Sequence, residues 1–272
     1  MGLCITNDFL HKYLLKAILH AALHDREIIE GVSTKERVVC ISFDCDVDND
    51  MEGVPSLLDV LRSAEINSSF AVVGKLVNKY PVIVDEILEK GHEIVNHSFS
   101  HPENFGSISP NQMEEEIQSF QTFMINEFGY RPRGFRAPHL MRKYNGALFR
   151  ILKKERLYDS SYVGRGISKI DDVPEVALTS CPEHNQVCFD CWHHFQLPFV
   201  RSSLKKYFAL WGHLLRKESI INVYFDPGVI SCSFLEHVIE MSKEAGFDFR
   251  RMKDVVSEPF DSTIEGKREQ AQ

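Results

Sequence analysis

Two short stretches carry residue types that could do chemistry together. Ser42-Phe43-Asp44-Cys45-Asp46 sets two carboxylates one residue apart at the end of the apolar run Val38 to Ser42. His97-Ser98-Phe99-Ser100-His101 sets two imidazoles at i and i+4, just after the apolar run Glu93 to Val95. Two His and one carboxylate, with positions left for solvent, is a usual way to hold a catalytic divalent metal. The spare carboxylate is then free to act as a base toward water. The chemistry this points to is metal-dependent hydrolysis. The plainer reading is that the two acids cap the following turn and His97 is a satisfied core histidine. Asp48 and Asp50 nearby show how readily carboxylate pairs arise.

The elements that must position these residues alternate. Strands are expected at Val38 to Phe43, Ser68 to Val73, Glu93 to His97, Gly134 to Ala137, Tyr158 to Val163, Ile220 to Phe225 and Phe247 to Arg250. Helices are expected at Val54 to Ala64, Pro81 to Lys90, Ser109 to Phe128, Asn145 to Lys154 and Phe234 to Ala245. Glu114, Glu115 and Glu116 suit the dipole in the first turns of the longest helix. Strand and helix in alternation mean parallel pairing with crossover helices. The pattern predicts an α/β fold: a distorted, seven-stranded (β/α) barrel preceded by an N-terminal helix. Asp44, Asp46, His97, Arg136, Asp159 and Asp226 all fall at strand C-terminal ends, where parallel barrels place their sites.

Three domain-level regions follow. Residues 1–35 hold an amphipathic helix, Asp8 to Glu30, and a linker; residues 36–256 form the barrel, interrupted by an irregular stretch at 164–199; residues 257–272 read as a polar, unstructured tail. The N-terminal helix packs outside the main domain in one reading. In the other it lies on a membrane surface or forms a dimer contact, although Lys12 and Lys16 make a weak interfacial face.

Composition limits the partners. The chain has 272 residues, 43% hydrophobic and 26% charged, and a formal net charge of −8. That balance argues against nucleic acid as a partner, because nothing repays phosphate repulsion. No apolar run reaches the ~20 residues of a membrane span. The absence of a basic segment followed by an apolar one, with seven cysteines, leads to the expectation of a cytoplasmic protein, membrane-associated if its first helix binds lipid.

The two stretches together resemble the first and second motifs of the polysaccharide deacetylases, carbohydrate esterase family 4. His97, Ser98 and His101 match the second motif in full, whereas Cys45 separates the acids of the first, as in the branch near peptidoglycan-deacetylase-like and allantoinase-like proteins. Arg136-Ala137-Pro138 matches the third, Asp159 loosely matches the fourth, and Asp226 stands where the fifth has His. The resemblance implies that Asp46, His97 and His101 bind one divalent metal, zinc first, with cobalt, nickel or manganese as alternatives. It implies Asp44 as general base, held by Arg136, and places Pro138 and Asp159 at the substrate. Asp226 and His139 are the candidates for the acid, with His193 and His194 as others. The implied reaction removes an acetyl or formyl group from an amino sugar, with a nucleotide- or lipid-linked intracellular precursor as the expected substrate. Allantoinase-like hydrolysis of a non-sugar amide, and a degenerate deacetylase that only binds, are the alternatives.

Cys181, Cys188, Cys191 and His193 also have ligand types that suit a structural zinc. Paired CxxC units, the strong form of that signal, are absent, so packing or loop roles compete with it.

Overall fold

The computed structural model describes residues 27–32, 36–182, 187 and 204–256. In chain order the elements are β1 (Ile28–Glu30), β2 (Val38–Cys45), α1 (Asp48–Ser63), β3 (Ser69–Val72), α2 (Gly74–Lys79), α3 (Pro81–Glu89), β4 (Glu93–Asn96), α4 (Pro110–Phe128), β5 (Gly134–Phe135), α5 (Gly146–Glu155) and β6 (Tyr158–Asp159). There follow β7 (Val163–Arg165), β8 (Ile167–Ile170), β9 (Val173–Val176), β10 (Leu178–Thr179), α6 (Leu204–Lys217), β11 (Ile220–Phe225), α7 (Cys232–Glu244), β12 (Asp248–Phe249) and α8 (Met252–Val255).

Eight parallel strands make the curled sheet, seven of them in the order β11-β2-β3-β4-β5-β6-β9 with β12 also paired to β2, and β8 adds an antiparallel edge. Among the described residues no ladder joins β9 back to β11. Asn222 spans that gap instead. Its Nδ2 donates to Val176 O at 3.0 Å, and its backbone N–H donates to Thr179 Oγ1 at 2.9 Å. The barrel is therefore closed by side-chain bonds, which is the distortion the element pattern predicts.

Period-2 alternation on β2 sorts residues between two layers. Val39, Ile41, Phe43 and Cys45 face out and join the large cluster that includes Leu57, Leu61, Leu235 and Val238 from α1 and α7. Val38 and Cys40 face in and meet Ala71, Val95, Tyr158, Val176, Ile220 and Met252. Ser42 and Asp44 share that inward parity. At the N-terminal ends of the strands the interior is closed by polar pairs: Ser69 Oγ donates to Glu93 Oε2 at 2.7 Å, and Tyr158 OH donates to Glu93 Oε1 at 2.9 Å.

Several expected boundaries move. The last residues of the helix expected over Asp8 to Glu30 are not helical: Ile28–Glu30 is a strand in parallel register with Val163–Arg165. A Cβ on Gly164 would lie 2.0 Å from Ile29 O, so this close pairing requires glycine there. The rest of that expected helix, and the tail at 257–272, lie outside the described residues. Helix α1 begins at Asp48 rather than Val54; the Asp50 carboxylate accepts the N–H groups of Asp46 and Val47 and so starts the helix before Pro55. The stretch from Gly164 is not irregular throughout. It contains β8 and β9, and β9 adds a parallel strand beyond the seven expected. Helices α2 and α6 are additional; α6 buries Tyr207, Leu210, Trp211, Leu214 and Leu215. No helix among the described residues is long and apolar enough to cross a membrane.

Candidate active site

The Asp-x-Asp spacing has a direct consequence on a strand. Asp44 points into the barrel, Cys45 points out to the helices, and Asp46, one residue past β2, returns to the side of Asp44. The Asp44 side chain is 6% exposed and that of Asp46 is 36% exposed, so one acid lies beneath the other. Asp44 Oδ1 accepts from Arg136 Nη1 at 2.5 Å.

The histidine loop follows β4. Ser98 and His101 have φ of 62° and 59°, a region non-glycine residues enter only when surrounding bonds hold them there. His97 Nδ1 lies 2.8 Å from Arg136 O. A carbonyl can only accept, so Nδ1 carries the proton and Nε2 is left with its lone pair. That Nε2 faces Asp46 Oδ1 at 3.0 Å, and His101 Nε2 faces the same oxygen at 3.4 Å. Asp46 Oδ1 and His101 Nε2 are buried and find no hydrogen-bond partner among the described residues.

Lone pairs turned toward one another at this range need a cation between them. Metal–ligand bonds of about 2.0–2.1 Å set neighbouring donor atoms roughly 3.0–3.4 Å apart, which these three atoms already approach. Asp46, His97 and His101 also form the one group of metal-ligand type found among the described residues. The donor set therefore fits a divalent ion. Without a metal, a proton does part of this work. Burial disfavours charge on His97, but the Asp46 carboxylate outweighs it and raises the imidazole pKa. For Asp46 burial also opposes ionisation, yet His97 and His101 hold its carboxyl well below the usual range.

Arg136 ties the two halves together. Its backbone carbonyl orients His97 while its side chain, 0% exposed, holds Asp44. Nη1 also donates to Ser42 Oγ at 2.9 Å, Nε to Ser160 O at 3.1 Å, and Nη2 to Ser160 Oγ at 3.1 Å. Burial still pushes the Asp44 carboxyl up from its ordinary value, opposed by Arg136 and His97 and reinforced by Asp46. A raised value suits a group that must take up a proton near neutral pH.

The next turn carries His139, exposed and in left-handed conformation with φ 58°. Its ring meets the edge of the His101 ring at 4.9 Å between centroids. Burial and the neighbouring imidazole of His101 lower its pKa. Pro138 and Asp159, expected at the substrate, are both buried. Asp159 is 0% exposed: its Oδ1 accepts from Ser160 N at 3.0 Å and from Ser161 Oγ at 2.5 Å, and Ser161 Oγ accepts from Ala137 N at 2.8 Å. Fully buried, it braces the Arg136 turn from behind.

Asp159 pairs across the strands with Glu175, also fully buried. Burial pushes Asp159 up to about 6 and Glu175 well above its ordinary value. The folded protein binds these protons more tightly than the unfolded chain, so the contribution is full below the ordinary carboxylate range. Asp159's share is lost as pH rises through about 6, while that of the raised Glu175 goes on declining as pH climbs above the ordinary carboxylate range. Glu175→Gln is expected to flatten the fall in urea midpoint between about pH 5 and pH 7; an unchanged slope would contradict the assignment.

Asp226 follows β11 one residue past the paired position Phe225↔Phe43, alongside Asp44. Cys181 is buried in the outer core, and Cys188, Cys191, His193 and His194 lie outside the described residues. Two positioning residues have no counterpart in the motif reading. Glu116 Oε2 accepts the N–H groups of Phe99 and Ser100 at 2.9 and 2.7 Å, and Asp50 Oδ2 accepts those of Asp46 and Val47, both at 3.0 Å. Neither residue presents its side chain as a ligand, so only the fold could reveal them.

The polysaccharide deacetylase family model matches residues 31–157, a span that holds β2 through α5 and the three metal-site residues. A peptidoglycan-N-acetylglucosamine deacetylase of Bacillus cereus is 31% identical over 37% of this chain and 36% of its own length. A peptidoglycan-N-acetylmuramic acid deacetylase of Bacillus subtilis is 29% identical over 45% of this chain and 44% of its own. The chain thus spans well under two thirds of the length of these curated relatives. A crystal structure from Mycobacterium smegmatis assigned to the polysaccharide deacetylases superposes with a TM-score of 0.69, at 18% identity, over 85% of this chain and 93% of that one. Residues 31–157, which carry the paired acid and histidine loops, thus match the model of the polysaccharide deacetylase family.

Proposed function

We propose that this protein is a metal-dependent hydrolase that removes an N-acyl group, acetyl or formyl, from an amino sugar. The observation that carries the proposal is the convergence of Asp46 Oδ1 and two imidazole nitrogens, with Asp46 Oδ1 and His101 Nε2 buried and without a hydrogen-bond partner among the described residues, next to a buried Asp44–Arg136 pair. The named activities of the relatives support the substrate class.

Asp46, His97 and His101 would hold the ion, which when bound supplies Lewis acidity toward an amide and toward water. Asp44 then acts as the base. Only its Oδ1 is committed to Arg136 among the described residues, so the second oxygen accepts the proton of the attacking water. Arg136 prevents the carboxylate from rotating away and offsets the charge it develops in a buried place. Bond formation at the acyl carbon and cleavage of C–N must be matched by a proton on the departing nitrogen. Asp44 carries one after the attack, and Asp226 supplies a second carboxyl at the neighbouring strand position. His139, whose ring meets that of His101, is a further candidate for that proton.

The test is release of acetate or formate from a panel of N-acetylated and N-formylated amino sugars. The panel covers the free, nucleotide-linked and lipid-linked forms, and oligomers of chitin and peptidoglycan. Release from at least one is expected. A protein that binds metal but releases nothing from any of them would instead favour the binding reading, for which Asp226 in place of the family's late histidine is the specific observation.

A further inference from the structure

The three prospective ligands sit on two loops, and strand pairing holds neither loop where the ligands are. β2 ends at Cys45, before Asp46, and β4 ends at Asn96, before His97. We propose that Glu116 and Asp50 are positioning residues that hold these loops in ligating geometry; this rests on the metal-site reading above.

In the loop at 98–101 every backbone N–H ends on a side-chain oxygen. Ser98 N donates to Asn96 Oδ1 at 2.9 Å, Phe99 N and Ser100 N to Glu116 Oε2 at 2.9 and 2.7 Å, and His101 N to Ser98 Oγ at 3.0 Å. The other Glu116 oxygen accepts from Ser100 Oγ at 2.6 Å. On the far side, Gly74 N and Lys75 N donate to Ser98 O and Phe99 O, both at 3.0 Å. Glu116 thus accepts two of the four amides and a hydroxyl, reaching across from α4. Buried amides must be paired, and Glu116 is the acceptor that lets Ser98 and His101 stay at positive φ. Without it the loop can relax toward ordinary conformations, and His101 swings off the point it shares with Asp46.

Asp50 plays the same part for the other loop. Oδ2 fixes the amides of Asp46 and Val47, and Oδ1 accepts from Gly228 N at 3.2 Å. Asn49 Nδ2 donates back to Gly228 O at 3.0 Å. One carboxylate therefore joins the Asp46 loop to the loop that follows Asp226. Both clamps come from helices, and each acts through a ligand's loop backbone.

The experiment measures zinc affinity by competition with a chelator, together with the melting temperature of the metal-free protein. Glu116→Ala is expected to weaken zinc binding about 10–100-fold, the usual cost of losing an outer partner of a metal site. Glu116→Gln keeps an oxygen for the two amides and is expected to recover most of that loss. Asp50→Ala is expected to behave like Glu116→Ala. A purely structural role would lower the melting temperature and leave the affinity alone, so Glu116→Ala with wild-type affinity overturns the proposal. If Glu116→Ala does not fold, Ser100→Ala decides: weakening of about threefold or more supports the clamp, and wild-type affinity overturns it. Wild-type protein that binds no zinc overturns the metal reading, and the clamp with it.

Discussion

Asp44→Asn is expected to lower turnover about 10²–10⁴-fold and to leave metal content unchanged. Asparagine keeps an oxygen for Arg136 and nearly the same volume, so the barrel interior retains its shape. What it loses is the capacity to take a proton from water. Asp44 also does not touch the point where Asp46, His97 and His101 converge, so the ion should stay. The same reasoning sets the acid limb of the wild-type pH profile: activity needs ionised Asp44, whose pKa burial raises, so turnover should fall on acidification before an ordinary carboxylate would titrate. Full turnover in Asp44→Asn would remove the base from the mechanism. Loss of metal would mean that the two acids cannot be separated by role.

The second large effect is on stability. Arg136→Met is expected to destabilise the fold by about 3–5 kcal/mol, because removing one partner of a buried pair strands the other. At this chain length that corresponds to a drop in melting temperature on the order of 10 °C. The bonds lost include those to Ser42, Asp44 and Ser160. Combining Arg136→Met with Asp44→Asn should be less damaging than the sum of the two, since the stranded charge is gone. The acceptor for His97 is the Arg136 carbonyl, which the substitution keeps. Metal binding should therefore survive where stability does not. A melting temperature within a degree or so of wild type would show that the pair is not buried as described.

What could be read from sequence was what the chemistry demands by residue type. Asp44, Asp46, His97 and His101 were readable as a group because few side chains bind metals, whereas Arg136 was singled out as a partner of Asp44 only through the resemblance of Arg136-Ala137-Pro138 to the family's third motif. The parallel strands were legible because burial on both faces leaves apolar runs such as Val38 to Phe43. β9 was not, because Val173-Pro174-Glu175-Val176 carries a proline and an acid, which normally mark an edge or a loop. Glu175 is accommodated there by pairing with Asp159 and by the Tyr162 N–H, which donates to its Oε1 at 3.1 Å. α6 did carry a helical signal, in Tyr207, Leu210, Trp211, Leu214 and Leu215, which the Cys- and His-rich stretch before it obscured. Glu116 and Asp50 left no readable trace. Acids in first helical turns are ordinary, and nothing local shows that these two accept amides from distant loops. Asp159 misled in the opposite direction, since a strand-end acid can brace the site from behind as readily as it can face a ligand.

The central claim is that Asp46, His97 and His101 hold a metal, and metal content tests it most directly. Purified wild-type protein, reconstituted with zinc and desalted, should retain about one equivalent, and His97→Ala/His101→Ala should retain none. No retained metal in the wild type would contradict the account, and so would an equivalent that survives the loss of both histidines.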